Sequence, residues 1–352
     1  MKWFNRKSER ILGIDISTAA IKLLELSKSA DGYKVESYAV RPIPEGVLVN
    51  NDPEDMEIIS ETIREVLKQA DTKIRSASIA IAESDVFRKV ITLPSGLSDA
   101  EMEEQIIIDA DQYIPYPLDE VRFDFEVLTT DTKIETSEVL LVASRMENID
   151  ERVAILELAG VTTKVIDLET FVMVDALSLL LDLLPNKGGD QTTAIIDIGA
   201  SIISLNVVRD GQSIYARDQT FGGRQLTEEI QRIYGYSFEE AGRAKKSTNA
   251  PEGYNTEALE PFKRAIVQQI ARALQVFYSS AASDDIDSIV FSGGCASIEG
   301  IAGLVEIDQK CPVLIADPFL NMKVAKKVNA QSLHADGPAL MVACGLALRS
   351  FD

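Results

Sequence analysis

Two short stretches of the chain each combine a strand-like apolar run, one aspartate and a turn of small or hydroxyl residues. The first is Leu12–Thr18 and the second is Ile195–Ser201, and another apolar run follows each of them. This pattern predicts two β-hairpins. Backbone N–H groups and hydroxyls at such a tip can donate to an anion, and the carboxylate can face a metal ion. Two copies therefore predict a duplicated architecture that holds a phosphate from both sides.

The aspartates of the hairpins, Asp15 and Asp197, form the metal-binding side of this predicted site. An aspartate near nucleotide phosphates holds Mg²⁺, usually through water, because Mg²⁺ keeps several of its own waters. The same turns carry the groups that would donate to phosphate oxygens, namely Ser17, Thr18, Gly199 and Ser201. The alternative is a pair of unrelated strand–turn units in which each aspartate caps its own turn.

A third stretch, Ile289–Ser297, is a buried-type strand that opens through Gly293 and Gly294 into a helix. Glycine lets the backbone approach a ligand closely, and a helix N-terminus favours an anionic phosphate. A strand–turn–helix unit is common on its own. Its position after the two hairpins favours a nucleotide-binding function over a purely structural turn.

Composition limits the classes of function. The 352 residues predict two or more domains, and a formal net charge of −21 argues against nucleic-acid binding through the general surface. Three widely spaced cysteines favour a reducing compartment over a metal cluster. No apolar run reaches the roughly 18 residues of a spanning helix, and no secretory signal is visible.

The N-terminal segment Met1–Arg10 departs from this acidic composition. It is basic and carries two aromatic residues, Trp3 and Phe4. Such a segment can touch an anionic membrane. The alternative is a frayed and solvated terminus.

These motifs together resemble those of the actin-like ATPase superfamily, which includes Hsp70, sugar kinases and the cell-division protein FtsA. Leu12–Lys22 resembles its first phosphate motif, Ala194–Val208 its second, and Ile289–Gly300 its adenosine motif. The resemblance implies an α/β protein with the actin-like ATPase fold. We expect two duplicated lobes and an FtsA-like α+β insert subdomain.

A closer resemblance is to the PilM family, the cytoplasmic actin-like proteins of type IV pilus assembly. It covers nearly the whole chain and rests most specifically on Gly13–Ser17, Ala110–Leu118 and Ala343–Arg349. The resemblance implies an ATP-binding scaffold with at most slow ATPase activity. ATP would lie between the lobes, and the N-terminal cytoplasmic tail of PilN would bind in a groove between the first lobe and the insert. The protein would then be cytoplasmic, associated with the inner membrane through its partners, and would link the alignment complex to the pilus machinery.

The resemblance also implies domain boundaries. The first-lobe core would comprise 1–75 and 161–190, with a C-terminal helix at 336–352 packed between the lobes. An inserted β-α-β-β-α-β subdomain would occupy 76–160. The second-lobe core would comprise 191–224 and 285–335, and a helical subdomain would occupy 225–284.

Carried over from these families, the nucleotide-binding residues fall on both lobes. The residues that would contact the phosphates are Ser17, Thr18, Gly199 and Ser201. Asp15 and Asp197 would hold Mg²⁺, and Gly293 and Gly294 would contact the adenosine. We also assign Lys22, Gly222 and Gly223 to the nucleotide. For the purine we choose Lys245, on the predicted helix Glu239–Lys246, and the alternative there is a solvated charged helix end.

ATP hydrolysis needs a group that positions water in line with the γ-phosphate. Asp167 and Glu169 are the candidates, and we prefer Glu169 because it begins a helix that faces the cleft in this topology. Glu169 could equally be an acid of the first turn, favoured by the helix dipole.

A rigid aromatic and proline-rich run follows the predicted helix of the insert. Its residues Tyr113, Pro115, Tyr116 and Pro117 would form an apolar ridge suited to gripping a peptide. In the alternative, the run packs locally and its prolines only end the helix.

Two other functions compete with the scaffold. A small-molecule kinase of the same superfamily needs a polar substrate site with a carboxylate base between the lobes. An FtsA-like filament former needs a C-terminal amphipathic membrane helix after a linker. The sequence leaves open whether the chain forms homo-oligomers.

Overall fold

The computed structural model describes residues 10–47, 52–131, 134–185, 191–246, 250–280 and 285–351. Trp3 and Phe4 lie outside these ranges, so their contact with a membrane remains a prediction. Within the described ranges, no helix is both long enough and apolar enough to cross a membrane.

The first lobe begins with an antiparallel meander of three strands, then a helix and a fourth strand. These elements are β1 (Leu12–Ile16), β2 (Ala20–Ser29), β3 (Gly32–Pro42), α1 (Pro53–Ala70) and β4 (Ser76–Ile81). The α1 helix begins where Asp52 accepts a hydrogen bond from the N–H of Glu54, with Pro53 in the first turn. Its buried face, with Ile59 and Ile63, packs into the first-lobe core.

The insert is a small sheet with helices on one face and a core of its own. Its elements are β5 (Val86–Pro94), α2 (Asp99–Ile108), α3 (Ala110–Tyr113), β6 (Val121–Asp131) and β7 (Thr136–Arg145). The strand order is β5-β7-β6, and both pairs are antiparallel. Ser98 and Glu101 form a capping box at the start of α2. Ile91, Ile106 and Leu141 are central residues of the core.

The chain then returns to the first lobe through α4 (Met146–Leu158), β8 (Thr162–Leu168) and α5 (Glu169–Ser178). In α4, Ile155 and Leu156 are buried in the first-lobe core. Strand β4 is hydrogen bonded between β1 and β8, in the first-lobe sheet. Hydrogen bonding and packing thus place β4 and α4 in the first lobe, whereas the boundaries implied by the resemblance assign all of 76–160 to the insert. The apolar pattern of β4 fits a buried strand in either sheet, so the pattern alone does not decide.

The second lobe repeats the meander and then adds helices and parallel strands. Its elements are β9 (Thr192–Ile198), β10 (Ile202–Arg209), β11 (Gln212–Thr220), α6 (Gly223–Tyr234), α7 (Phe238–Lys246), α8 (Glu260–Tyr278), β12 (Ser288–Ser292), α9 (Ile301–Gln309) and β13 (Val313–Ile315). The last elements are β14 (Lys323–Val324), α10 (Ala330–Asp336) and α11 (Met341–Leu348).

The two large sheets have corresponding strand orders. The first is β14-β3-β2-β1-β4-β8 and the second is β11-β10-β9-β12-β13. In each, an antiparallel meander is extended by parallel strands next to its first strand. The predicted duplication is therefore visible in the topology. Strand β14 pairs with β3 of the first sheet, although the sequence assigns 285–335 to the second lobe.

The C-terminal helix α11 lies between β1 and α5, in a core to which both lobes contribute. Leu24 of the first lobe and Val290 of the second belong to this core. Two glycines allow the close packing. A Cβ on Gly13 would lie 2.6 Å from the nitrogen of Ala347, and a Cβ on Gly345 would overlap the carbonyl oxygen of Val172.

We expect Gly345→Ala to lower the free energy of unfolding by about 1–3 kcal/mol, because α11 must move away from α5 to admit the methyl group. Urea denaturation followed by circular dichroism measures the change. Gly303→Ala is the matched control, since Gly303 lies within α9 and its Cβ would meet open space. An equal response of the two variants would contradict the packing argument.

Candidate functional site

The two predicted hairpins meet where the lobes face each other. The β1–β2 turn of the first lobe and the β9–β10 turn of the second touch through the Thr18 hydroxyl, which donates to the Ser201 hydroxyl at 3.4 Å. Asp15 and Asp197 stand one on each side of this contact, near the ends of β1 and β9. The structure therefore brings together the residues that the sequence assigns to a shared phosphate site.

Lys22 is the cation at the centre of this site. It lies opposite Asp15 in the β1–β2 register, and its Nζ is 2.7 Å from Oδ2 of Asp15. Burial opposes the charge of Lys22, but the carboxylates of Asp15, Asp197 and Glu169 outweigh burial and raise the pKa of the lysine. Lys22 therefore stays protonated and attracts carboxylates of both lobes.

More carboxylates surround Lys22 than one cation can neutralise. Burial, with the charges of Asp15, Asp197 and Asp218, raises the pKa of Glu169 to about 8. Burial also raises the pKa of Asp197 to about 6, although Lys22 and a hydrogen bond from Ser292 act in the opposite direction. An added cation would relieve this excess negative charge.

Sequence reasoning missed two members of this cluster, Asp218 and Ser292. Asp218, Ser204, Asp197 and Ser292 are cross-strand neighbours in one row across β11, β10, β9 and β12. The Ser292 hydroxyl donates to Oδ1 of Asp197 at 3.1 Å. Only the strand register reveals this row, because the four residues lie far apart along the chain.

The structure separates the two candidates for a catalytic base. Glu169, the first residue of α5, belongs to the cluster around Lys22. Asp167 instead binds the guanidinium of Arg349 through Oδ2 and the backbone N–H of Leu168 through Oδ1. Asp167 therefore fixes the C-terminal end of α11 and is not free to face a nucleotide.

Three glycine-bearing loops surround the second-lobe side of the site. The N–H of Gly223 donates to the carbonyl of Gly199 at 3.0 Å, and the N–H of Cys295 donates to the carbonyl of Ile198 at 3.1 Å. Gly293 has a φ of +87°, and a Cβ there would lie 2.5 Å from the oxygen of Ile198. Gly293 is thus required for loop packing, whereas the space beside Gly294 is open.

Gly222 has a similar packing role. A Cβ on Gly222 would lie 2.6 Å from the carbonyl oxygen of Ala200. Lys245 braces the same loop, because its Nζ donates to the carbonyl of Gly223 at 2.7 Å and to the Thr227 hydroxyl at 3.2 Å. Lys245 is therefore not a solvated helix end, and its contact with a purine remains a prediction.

The site supplies carboxylates but not a complete metal cage. Within the described ranges, no three side chains of His, Cys, Asp or Glu are placed to hold a metal ion. The donor set of Asp15 and Asp197 therefore fits Mg²⁺ only together with ligands from water or a nucleotide. This arrangement fits a nucleotide-bound ion better than a resident structural metal.

The predicted peptide-gripping ridge lies on the insert. The rings of Tyr113 and Tyr116 are half-buried against the insert core, and Pro115 and Pro117 are exposed. Lys89 Nζ lies 5.5 Å from the centroid of the Tyr113 ring, and the Arg145 guanidinium carbon lies 4.7 Å from that of Tyr116.

A cleft of about 740 Å³ lies between the insert, the first lobe and the second lobe. The open face of the insert sheet forms one wall, with Val90 and Leu140, and Phe171 of α5 forms another. The third wall is the first part of β11 together with Gly211 of the turn before it, 211–216. Tyr113, Pro115, Tyr116 and Pro117 do not line this cleft, although Lys89 reaches from its wall to the ridge.

Comparison with known proteins identifies similar sequences and folds. A family model described as type IV pilus assembly protein PilM matches residues 13–351. A solved structure described as a PilM–PilN type IV pilus biogenesis complex is 27% identical, covers 97% of this chain and 99% of the matched chain, and superposes with a TM-score of 0.81.

Ethanolamine utilization protein EutJ from Carboxydothermus hydrogenoformans is more distant. It is 16% identical, with coverage of 96% of this chain and 89% of that chain, and a TM-score of 0.56. The duplicated sheets and these likenesses confirm the predicted actin-like ATPase fold.

The carboxylate cluster predicts that stability depends on pH. Because folding raises the pKa of Glu169 to about 8 and that of Asp197 to about 6, the folded protein holds protons that the unfolded chain has released. The free energy of unfolding should therefore fall as pH rises from about 5 to about 8 in the absence of nucleotide.

We expect Glu169→Gln to flatten this decline, since glutamine has no proton to lose. Urea unfolding at several pH values in this window measures the slope, and Glu104→Gln on the exposed surface of α2 is the control. A slope unchanged by Glu169→Gln would show that Glu169 does not carry the effect.

Proposed function

The chain belongs to the PilM family of type IV pilus assembly proteins, and we propose that it is an ATP-binding scaffold that captures the cytoplasmic tail of a PilN-type membrane protein. The observation that carries the proposal is a carboxylate cluster between the hairpins of the lobes, with a separate cleft between the insert and the lobes. In this proposal the bound tail associates the chain with the inner membrane.

For the nucleotide, both lobes supply suitable groups. The hydroxyls of Thr18 and Ser201 would donate to phosphate oxygens. The Ser17 hydroxyl donates to the carbonyl of Ala20 and the N–H of Gly199 donates to the carbonyl of Ile202, so these two residues hold their turns and would contact phosphate only after releasing those bonds. Asp15 and Asp197 would hold Mg²⁺ through water, and the ion, when bound, neutralises charge on the phosphate oxygens. We assign the adenosine to the turns between β12 and α9, where a Cβ on Gly294 would meet open space; the helix expected directly after the two glycines begins only at Ile301.

Glu169 is the residue that we propose as the candidate for positioning the attacking water. Without a bound cation, burial and the neighbouring carboxylates raise its pKa to about 8, so most of this carboxyl is protonated at neutral pH. A protonated carboxyl cannot accept a proton from water. We propose a structural or switching nucleotide with at most slow turnover, as the family resemblance implies.

For the tail, we propose the cleft beside the insert as the binding site. Val90, Leu140 and Phe171 offer apolar walls for alternate side chains of an extended peptide, and Arg88, Glu126 and Arg349 place charges around them. The Tyr113–Pro117 ridge lies at the end of the insert that Lys89 connects to the cleft. We propose this ridge as a second contact for the same partner.

Asp197→Asn tests the nucleotide part. We expect it to weaken binding of Mg-ATP by about tenfold or more, because it removes a charge from the metal side while retaining the hydrogen bond from Ser292. Isothermal titration measures the dissociation constant, with Asp308→Asn on exposed α9 as the control. Unchanged binding would refute the metal assignment, and phosphoryl transfer to a metabolite would favour the kinase alternative.

Val90→Asp tests the tail site. Val90 is 51% exposed, so the fold should tolerate the change, but the new charge stands on an apolar wall of the cleft. We expect the tail peptide of the cognate PilN to bind about tenfold more weakly or worse, because a bound peptide would have to desolvate the new carboxylate against its apolar side chains. Fluorescence anisotropy with a labelled peptide measures this.

The matched control is Val127→Asp, in the same insert sheet. Val127 is 38% exposed and does not line the cleft. Wild-type affinity is expected for this variant. If the two substitutions weakened binding equally, or neither did, the peptide would bind elsewhere.

A further inference from the structure

A basic surface lies at the end of the first-lobe sheet that is opposite to the β1–β2 turn. Strands β1 and β3 begin at this end and β2 finishes there, as their antiparallel register shows. The parallel strands β4 and β14 also begin there, and α1 ends just before β4. We call this surface the basic face and define it by Arg10 and the segments 25–36, 68–76 and 322–328.

The charge of the basic face is opposite to that of the whole chain. Its residues include nine lysines and arginines against four aspartates and glutamates, which gives a net charge of +5, whereas the whole chain has a net charge of −21. Such a local reversal of sign creates a positive potential on one side of an acidic protein. The basic face therefore attracts anions that the rest of the surface repels.

Contacts around Glu25 join the start of β1 to the segment before β4. The carboxylate of Glu25 is buried, and Arg10 lies 3.1 Å from its Oε1. The Thr72 hydroxyl donates to Oε2 of Glu25 at 2.8 Å, and Nη1 of Arg75 donates to the carbonyl of Thr72 at 3.0 Å. One buried carboxylate thus holds these two segments in a single surface.

The segment around β14 joins the basic face from the other side. Lys323 lies opposite Lys34 in the parallel β14–β3 register. The Nζ of Lys327 donates to the carbonyls of Ala70 and Asp71, at 3.1 Å and 2.8 Å. A carbonyl oxygen holds the Lys327 side chain in place without neutralising its charge.

Most cations of the basic face are accessible to a large partner. Lys28, Lys68, Lys73 and Lys326 are exposed, and Arg75 is exposed although it donates to backbone carbonyls. These side chains belong to four different elements or connections of the first lobe. The positive charge is therefore spread over a surface and does not converge on one small ligand.

Aromatic rings accompany the cations. The rings of Tyr33 and Phe351 lie 5.3 Å apart, and Nζ of Lys28 lies 5.1 Å from the centroid of the Tyr33 ring. The basic and aromatic segment Met1–Arg10 is joined to the fold here, because Arg10 belongs to the basic face. The chain before Arg10 adds Trp3 and Phe4, together with three cationic residues and one glutamate.

The composition of the basic face favours a lipid surface over a protein partner. Seven of its nine cations are lysines. Lysine is depleted in protein–protein interfaces, where arginine is enriched. The ammonium group of lysine is a hydrated point charge on a flexible stem, which suits the diffuse negative potential of an anionic bilayer. Tryptophan and phenylalanine beside cations are typical of segments that lie in the membrane interface.

The basic face is also close to the cleft that we propose for the tail. Arg349 lines that cleft, and the ring of Phe351, two residues further along the chain, packs against Tyr33 of the basic face. A membrane-anchored tail that entered the cleft would therefore bring the bilayer near the basic face.

We propose that the basic face and the segment Met1–Arg10 bind the surface of an anionic lipid bilayer directly. The lysines and arginines contact the lipid head groups through Coulomb attraction. Trp3 and Phe4 enter the boundary between the head groups and the acyl chains. This contact goes beyond the proposed function, in which the chain reaches the membrane only through the tail of its partner.

The experiment uses the full chain without nucleotide or peptide. Its binding is measured by co-sedimentation with vesicles of phosphatidylcholine alone and with vesicles that contain about one third phosphatidylglycerol. We expect binding to the anionic vesicles only, and we expect it to weaken as the salt concentration rises from about 0.05 M to about 0.5 M, because salt screens charges on a surface.

Trp3 provides a second readout, because it is the only tryptophan of the chain. Its fluorescence emission should move to shorter wavelength with anionic vesicles, since the indole ring leaves water for the interface. The joint substitution of Trp3→Ala and Phe4→Ala should weaken vesicle binding several-fold. Vesicle binding without a shift of the emission would refute the part that the proposal gives to the N-terminal segment.

Lys73→Glu combined with Lys326→Glu tests the basic face itself. Both lysines are exposed and lie in connections between elements, so the fold should tolerate the changes. We expect the partition onto anionic vesicles to fall about tenfold or more, because two attractive charges become repulsive. Circular dichroism checks that the variant is folded.

The matched control is Arg264→Glu combined with Arg272→Glu, on the exposed side of α8 in the second lobe. It changes the net charge of the chain by the same amount, and wild-type partition is expected. An equal loss in both double variants would attribute the effect to net charge alone and overturn the proposal.

The remaining outcomes are separate from the function proposed above. If the wild-type protein binds neither kind of vesicle, the proposal is overturned and an acidic protein becomes the candidate partner of the basic face. Equal binding to both kinds of vesicle would likewise overturn the electrostatic argument. Neither result bears on the nucleotide or the tail, whose binding is measured in solution without lipid.

Discussion

Within the part of the chain that the structure describes, Asp15, Asp197 and Glu169 all act on Lys22 where the two lobes meet, and Asp218 lies beside them. This excess of negative charge governs the arrangement around the lysine. Lys22 satisfies Asp15 directly, and Asp197, Glu169 and Asp218 remain close enough to repel one another. Such a cluster lowers the stability of the protein when no ligand is bound, because buried like charges repel one another and disfavour ionisation. In the function that we propose, a nucleotide with its own cation would remove that cost.

The glycines show how tightly this arrangement is fixed. Gly222 and Gly293 each bring two backbone segments closer than a Cβ would allow. The polar groups of the loops are thereby held by hydrogen bonds before any ligand arrives. Pre-organised donors lose little conformational freedom on binding, which suits a site that retains its ligand.

The features that the sequence predicts well are those with a local cause. The two hairpins follow from apolar runs around one aspartate, and the capping box at Ser98 and Glu101 follows from two residues three positions apart. Features that depend on strand register or on distant packing were not predictable in this way. Asp218 lies near Asp197 only because β10 pairs with both β11 and β9. Asp167 accepts a hydrogen bond from Arg349, which is 182 residues away along the chain. The lobe to which β4 belongs depends on its neighbours, not on its own composition.

The position of α11 between β1 and α5 also has a consequence for how the protein is made. The N–H of Ile11 donates to the Ser350 hydroxyl, and the Ser78 hydroxyl donates to the carbonyl of Leu346, across 339 and 268 residues respectively. On the ribosome, the first lobe is therefore synthesised long before the helix that completes its core. Its apolar sheet face must stay exposed, or be shielded by a chaperone, until α11 emerges. The insert, which has its own core and ends at Arg145, is free of this delay and can fold while the second lobe is still being translated.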